Sequence, residues 1–363
     1  MVSLTPVTGS PFSTGAAANS LPYSVAFHPS GTLFATANNL GNSGPGSVSL
    51  FAVTASGGLQ LLGSPVSTGA TATTPTSVAF SPDGALLAAA NYGGSGNGSV
   101  AVFAVASSPP HLAVLQGSPF ATGAGEYPFS VAFHSNSKLP FVAAADLTNN
   151  NTVSVFSITH PTTGWAVAAP VSFKTGVPLN PQGGGPRELA FHPSGTYLAT
   201  ANSDAGSVSL FTVYGGWHLG LLPPPIPTGP AGVVVNTLAF SPNGHFLATG
   251  AGATATATVQ MFKFSTIAPY LTPFGAPVST GAFGATQSVA FSPNGNLLAV
   301  ASSDNVSLFV VDSTGTLTLQ GKPISIPGNP GPRSLAFSPS NKLLAVGCGY
   351  WGNGPAVSLL AVT

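Results

Sequence analysis

The sequence predicts an all-β fold, a seven-bladed β-propeller of four-stranded antiparallel blades, and three observations carry the prediction. An Ala-Phe pair recurs seven times, at Ala26-Phe27, Ala79-Phe80, Ala132-Phe133, Ala190-Phe191, Ala239-Phe240, Ala290-Phe291 and Ala336-Phe337, spaced 46 to 58 residues apart. Each pair closes one short apolar run, and two more runs follow it, as in residues 75–105, PTSVAFSPDGALLAAANYGGSGNGSVAVFAV. The unit is also cut unevenly at its ends. The chain stops after a third run, at Thr363, and opens with a run, Val2–Thr8, that belongs at the end of a unit. A period of this length in strand-type units is the repeat signature of a propeller.

The strands of a unit, a to d, follow in order. In the second unit, strand a is Ser77–Phe80, strand b Leu86–Ala90 and strand c Ser99–Val105. A Ser-Pro-Asp-Gly turn and a Gly/Asn-rich loop separate them, as expected between antiparallel strands. Strands b and c are apolar on both faces, which suits a blade packed between two others; a sheet with one wet face alternates instead. Strand d is rich in proline and ends in Pro-x-x-Thr-Gly at Pro11–Gly15, Pro65–Gly69, Pro119–Gly123, Pro225–Gly229 and Pro277–Gly281. Proline is tolerated on an outermost strand and discourages edge-to-edge pairing, so strand d is expected outermost. Residues 2–15 are expected to supply the outer strand of the last blade and lock the ring, making residues 1–363 a single domain.

Composition bounds the partners. Only 4% of residues are charged, with seven Lys plus Arg against seven Asp plus Glu. Such a surface offers no field to steer nucleic acid or an anionic membrane. No apolar run reaches the length of a membrane span, and the first residues, MVSLTPVTGS, lack the regions of a signal peptide. A neutral surface resists association poorly, so self-association and an extracellular or cell-surface setting are expected, with a cytoplasmic setting as the alternative. The lone Cys348 is expected in the core.

The rare charges are informative when sorted by position. His28, His134 and His192 follow the Ala-Phe pair in separate units, where four units carry Ser, and are read as turn-stabilising hydrogen bonds. Separate blades do not converge on one ion; no metal and no cofactor is expected. The residues opening strand a, Tyr23, Thr76, Phe129, Arg187, Asn236, Gln287 and Arg333, would surround the top of the central channel. Of these, Tyr23, Phe129, Arg187, Asn236, Gln287 and Arg333 are the candidate ligand-binding set. Glu126 and Glu188 lie in the same layer, with Asp146, Asp204 and Asp304 in b–c loops nearby. Two arginines there read either as a clamp for a carboxylate, which the guanidinium fork matches, or as ion-pair ties between blades. Tyr92, Tyr127, Tyr350 and Trp351 flank the rim and suit a carbohydrate ligand or a protein partner.

The units GPRELAFHPSGTYLATANSDAGSVSLFTV (185–213) and GPRSLAFSPSNKLLAV (331–346) resemble blades of the lactonase-type seven-bladed propellers. That group includes 6-phosphogluconolactonase-like proteins, fungal muconate cycloisomerases and YVTN surface-protein repeats. The resemblance implies the propeller fold along the whole chain. The family often carries Gly-Pro-Arg-His before strand a; Arg187 and Arg333 match its Arg, while Glu188 and Ser334 stand at its His. The Trp-Asp signature of WD40 blades is absent. With no histidine on the rim, the leading expectation is a non-enzymatic binding or scaffold protein that presents its rim to a protein or a small polar ligand. The alternatives are a lactonase-like hydrolase, with Arg187 and Arg333 holding a carboxylate and Glu126 or Glu188 as general base, and a self-assembling surface protein.

Overall fold

The computed structural model describes residues 2–41, 44–69, 73–93, 97–109, 111–136, 140–148, 150–160, 164–178, 185–229, 232–251, 256–326, 331–349 and 356–363. Tyr350, Trp351 and the side chain of Cys348 lie outside the described residues. Among those described, seven antiparallel sheets form, each with strand a innermost and strand d outermost. Strand a of the first blade, Leu21–Phe27, packs against strand a of the last, Pro332–Phe337, which closes the circle. The protein is a seven-bladed β-propeller, as the repeat predicted.

The core lies between blades. Leu86, Val100 and Val102 of the second blade pack with Val131, Val142 and Phe156 of the third. Across the seam, Val25, Phe34 and Phe51 of the first blade meet Ala345, Val357 and Leu359 of the last. Phe34, Phe51, Phe103, Phe156, Phe211, Phe262 and Phe309 are wholly buried, and each such ring contributes roughly 2–3 kcal/mol of transfer free energy. This two-sided burial is why strands b and c do not alternate.

The ends of the chain meet in one sheet. Leu4–Pro6 pairs with Ala356–Val362 in the register Leu4↔Val362 and Pro6↔Leu360. A second segment, Phe12–Ser13, pairs further along the same strand as Phe12↔Val357. The outer strand is therefore two short pieces rather than the single run Val2–Thr8. Three other blades repeat the break at Gly63-Ser64-Pro65, Gly117-Ser118-Pro119 and Gly321-Lys322-Pro323, each glycine holding a positive φ. A left-handed glycine ahead of a proline with no N–H interrupts a ladder.

The Thr-Gly that ends strand d is also more than an edge. Thr14, Thr175 and Thr280 are fully buried, and their carbonyls accept hydrogen bonds from Ser49, Ser209 and Ser307 of the next blade at 2.6, 2.6 and 2.8 Å. The motif latches neighbouring blades.

Candidate functional site at the channel mouth

The side chains at the channel mouth are aimed by a repeated backbone irregularity. In six blades the pairing of strands a and b shifts at one residue: Tyr23, Thr76, Phe129, Arg187, Asn236 or Arg333. Each is a β-bulge, which re-aims a side chain and ends regular pairing. In five of them a proline (Pro22, Pro75, Pro128, Pro186 or Pro332) precedes the bulged residue. Gln287 takes the corresponding place just ahead of the sixth blade's strand a, Ser288–Phe291. The structure brings all seven together around one polar cavity of about 70 Å³.

One residue further along, Ser24, Ser77, Ser130, Glu188, Thr237, Ser288 and Ser334 form a second ring. Four of its hydroxyls lie in reach of a backbone N–H of the following blade: Val78 N–H donates to Ser24, Val131 N–H to Ser77, Val289 N–H to Thr237 and Leu335 N–H to Ser288, at 3.1–3.2 Å. Ser334 accepts from Val25 N–H across the seam at 3.2 Å. In the fourth blade Glu188 does this work, its Oε2 accepting Leu238 N–H at 3.0 Å. A carboxyl thus stands in a slot that Ser or Thr fills elsewhere. Burial pushes the Glu188 carboxyl from 4.5 up to about 7, opposed by hydrogen bonds from Thr237 and Leu238 and by the charge of Arg187. Glu188 also reaches the wider cavity of about 700 Å³ below, which Ala, Phe and Pro side chains of strands a and their turns largely line.

The arginines rest on aromatic rings. The Arg333 guanidinium lies 4.3 Å from the Tyr23 ring centre and that of Arg187 lies 5.0 Å from Phe129. Arg187 Nη1 donates to Asn236 Oδ1 at 2.8 Å. Burial, and then the nearby charge of Arg333, lowers the Arg187 pKa. Among the described residues neither arginine forms an ion pair with an acid, so the reading of ion-pair ties between blades does not hold. Asp204 and Asp304 are exposed. Tyr23 meets Phe129 edge-on at 6.1 Å, and Tyr92 extends that wall to Tyr127.

Glu126 is not brought to this cavity. It is buried, and its carboxylate accepts hydrogen bonds from Thr148 (3.0 Å), Thr152 (2.9 Å) and Asn150 (3.0 Å), holding its own blade's b–c loop. The acid thereby serves the loop, and its expected place as a base at the mouth is corrected. Asp146 beside it is fully buried and accepts from Ser154 and Thr152. Burial raises its pKa well above the usual carboxylate range, with the Glu126 charge adding to the effect against the Ser154 and Thr152 bonds. Asn38, Asn91 and Asn202 stand in the same slot in three other blades.

The three turn histidines lie at the far end of the channel and do more than close their turns. Each Nε2–H donates to a carbonyl of the next blade: His28 to Gly84 (3.2 Å), His134 to Gly195 (2.8 Å) and His192 to Gly244 (3.0 Å). Among the described residues no group of three His, Cys, Asp or Glu gathers, and no helix is long and apolar enough to cross a membrane.

Comparison with known proteins places this geometry. A periplasmic gluconolactonase from Pseudomonas aeruginosa is similar at 24% identity and a TM-score of 0.64, covering 94% of this chain and 89% of that one. A Bacteroides uniformis protein provisionally named a 6-phosphogluconolactonase aligns at 20% identity and a TM-score of 0.70, covering 87% and 88%. A Lactobacillus plantarum protein aligns at 18% identity and a TM-score of 0.71, covering 90% and 99%. At these identities the likeness speaks for the fold. No curated protein matches the chain. The family described as Lactonase, 7-bladed beta-propeller matches residues 10–330. That match overturns the expectation of a non-enzymatic binding or scaffold protein and favours the hydrolase alternative. The chain belongs to the lactonase family of seven-bladed β-propellers.

Proposed function

We propose that the protein hydrolyses a lactone at the mouth of its channel, with Glu188 as general base and Arg187 and Arg333 holding the substrate. The observation that carries this reading is Glu188 itself, the one carboxyl in a ring of hydroxyls, lining the cavity onto which two arginines without acidic partners face. A base works best with a pKa near the working pH, and a carboxyl at about 7 meets that condition.

Water adds to the lactone carbonyl while Glu188 takes its proton. The negative charge gathering on the carbonyl oxygen is stabilised by a guanidinium, as charge-directed donors stabilise such intermediates generally. Collapse breaks the ring C–O bond, and the proton on Glu188 passes to the leaving oxygen, giving a hydroxy acid. The aromatic wall of Tyr23 and Phe129 supplies a face for a sugar-type ring to lie against.

The repeat offers a clean test. Glu188→Ser puts into the fourth blade the residue that makes the same N–H bond in other blades, so the ring is retained while the carboxyl is lost. Hydrolysis of glucono-1,5-lactone and of a carboxylated γ-lactone, followed by pH-stat above the spontaneous rate, is expected to fall by about a hundredfold or more in the variant, within the span usual for general-base groups. Wild-type protein that accelerates neither lactone, or a variant as active as wild type, overturns the proposal.

A further inference from the structure

The two arginines are held differently. The Arg333 guanidinium lies over Tyr23, 4.3 Å from the ring centre, and no side-chain hydrogen bond to it is seen among the described residues. Arg187 is clamped: Phe129 lies beneath it, and Asn236 Oδ1 takes one of its N–H groups at 2.8 Å. Asn236 is itself held on both sides of its amide. Its Nδ2 donates to the Thr286 carbonyl of the next blade at 3.1 Å, and its Oδ1 also lies 3.4 Å from the Ser203 hydroxyl. The residue is buried. An amide whose nitrogen is committed to a carbonyl can only present oxygen to Arg187, so its orientation is determined.

A neutral acceptor here has a chemical consequence. An aspartate or glutamate in this place would orient Arg187 equally well but cancel its charge. Asn236 takes one of the five N–H donors without itself adding a negative charge, and among the described residues no carboxylate is hydrogen-bonded to the rest of the fork. Arg333 adds a second guanidinium to the same lining.

We propose that Asn236 is a positioning residue that orients Arg187 toward an anionic group on the substrate, and that the site therefore selects lactones bearing a carboxylate over neutral lactones of the same ring. This rests on the reading of the mouth as a lactone site, and direct binding tests it apart from turnover. Tetrahydrofuran-2-carboxylate, which has no lactone bond to hydrolyse, is titrated calorimetrically against wild type, Asn236→Leu, Arg187→Met and the double variant. In parallel, kcat and KM are compared for 5-oxotetrahydrofuran-2-carboxylate and the neutral 5-(hydroxymethyl) analogue.

The expected result is binding by wild type, weakened about tenfold or more in Asn236→Leu and in Arg187→Met, with no further loss in the double variant; a tenfold change corresponds to about 1.4 kcal/mol. The KM of the carboxylated lactone should rise in Asn236→Leu while that of the neutral lactone stays, a split that general loosening of the fold does not produce. Should Asn236→Leu fold poorly, Asn236→Asp serves: it keeps the acceptor oxygen but neutralises Arg187, and is expected to abolish the preference for the anionic lactone. Unchanged binding in Asn236→Leu, or an equal loss in the Arg187→Met background, overturns the role of Asn236. No binding by wild type overturns the anion site as well. Binding without turnover defeats the hydrolase reading and leaves the Asn236 role standing.

Discussion

The two ends of the central channel are made by the same seven strands, yet they are used in opposite ways. At the bottom the a–b turns repeat one solution. Ser or His follows the Ala-Phe pair, the turn ends in a left-handed glycine in most blades, and His28, His134 and His192 add bonds to the next blade. At the top the backbone repeats just as closely, with a bulge at the same place in six blades, but the side chains are Tyr, Thr, Phe, Arg, Asn and Arg, with Gln completing the ring. Repetition at the bottom serves closure. Variation on a constant backbone at the top puts unlike groups into one small cavity, which is how one fold hosts differing chemistry.

The ring is weakened most severely by removing what closes it. Deleting residues 2–13 takes away both outer segments of the last blade and the buried Leu4. Thermal melting is expected to drop by about 5 °C or more, the shift that several kcal/mol produces in a chain of this size. A melting temperature within a degree or two of wild type would show that closure does not depend on this pairing.

Gly244→Ala comes next. Gly244 has φ +74°, and a Cβ there would run into the His192 imidazole. The left-handed strain and the clash together are expected to cost about 1–3 kcal/mol, read by denaturant melting, while activity per folded molecule stays unchanged because the mouth is at the other end. Lost activity in folded protein would mean that the two ends are coupled.

Glu188 sharpens the contrast because it stands in a slot that otherwise holds the ring together. Its folded pKa of about 7 exceeds its ordinary 4.5. Below 4.5 both folded and unfolded chains keep the proton. As pH rises from 4.5 to about 7 the unfolded chain releases it first, so stability falls across that window by up to the order of 3 kcal/mol and then levels. Glu188→Ser should remove this fall, so that the variant gains relative stability at pH 8 over pH 4.5. Parallel pH-stability curves would refute the assignment.

The smallest effect is expected at Asp146→Asn. Burial holds the Asp146 proton well above the usual carboxylate range, so the wild type loses stability as pH rises from that range toward the folded value. Asn38, Asn91 and Asn202 show that an amide fits the slot. The variant should melt a few degrees higher at pH 8, with little change at pH 4. A lower melting temperature at pH 8 would mean that the charged form is needed there.

Much of this was legible in the chain. The Ala-Phe period announced the blades, the mismatch of the two ends announced the closure, and the residues opening strand a do line one cavity. The rest depended on geometry that periodicity does not carry. Glu126 and Glu188 look alike in sequence, but three donors in its own blade absorb Glu126, whereas Glu188 sits within the Ser/Thr ring. The turn histidines read as local because nothing in the repeat shows that the next blade's glycine carbonyl lies within reach. The passive reading of function arose from the near absence of surface charge together with the lack of a rim histidine. Neither signal shows that burial at the mouth pushes the Glu188 carboxyl up to about 7.

The role of Glu188 is read out by the pH dependence of kcat/KM for lactone hydrolysis, corrected for the spontaneous reaction. With Glu188 as base, the wild type should rise about tenfold per pH unit on the acid side, level above about 7, and lose that profile in Glu188→Ser. A wild-type profile that is flat between pH 5 and 8, or that turns near 4.5 and persists in the variant, would contradict the account.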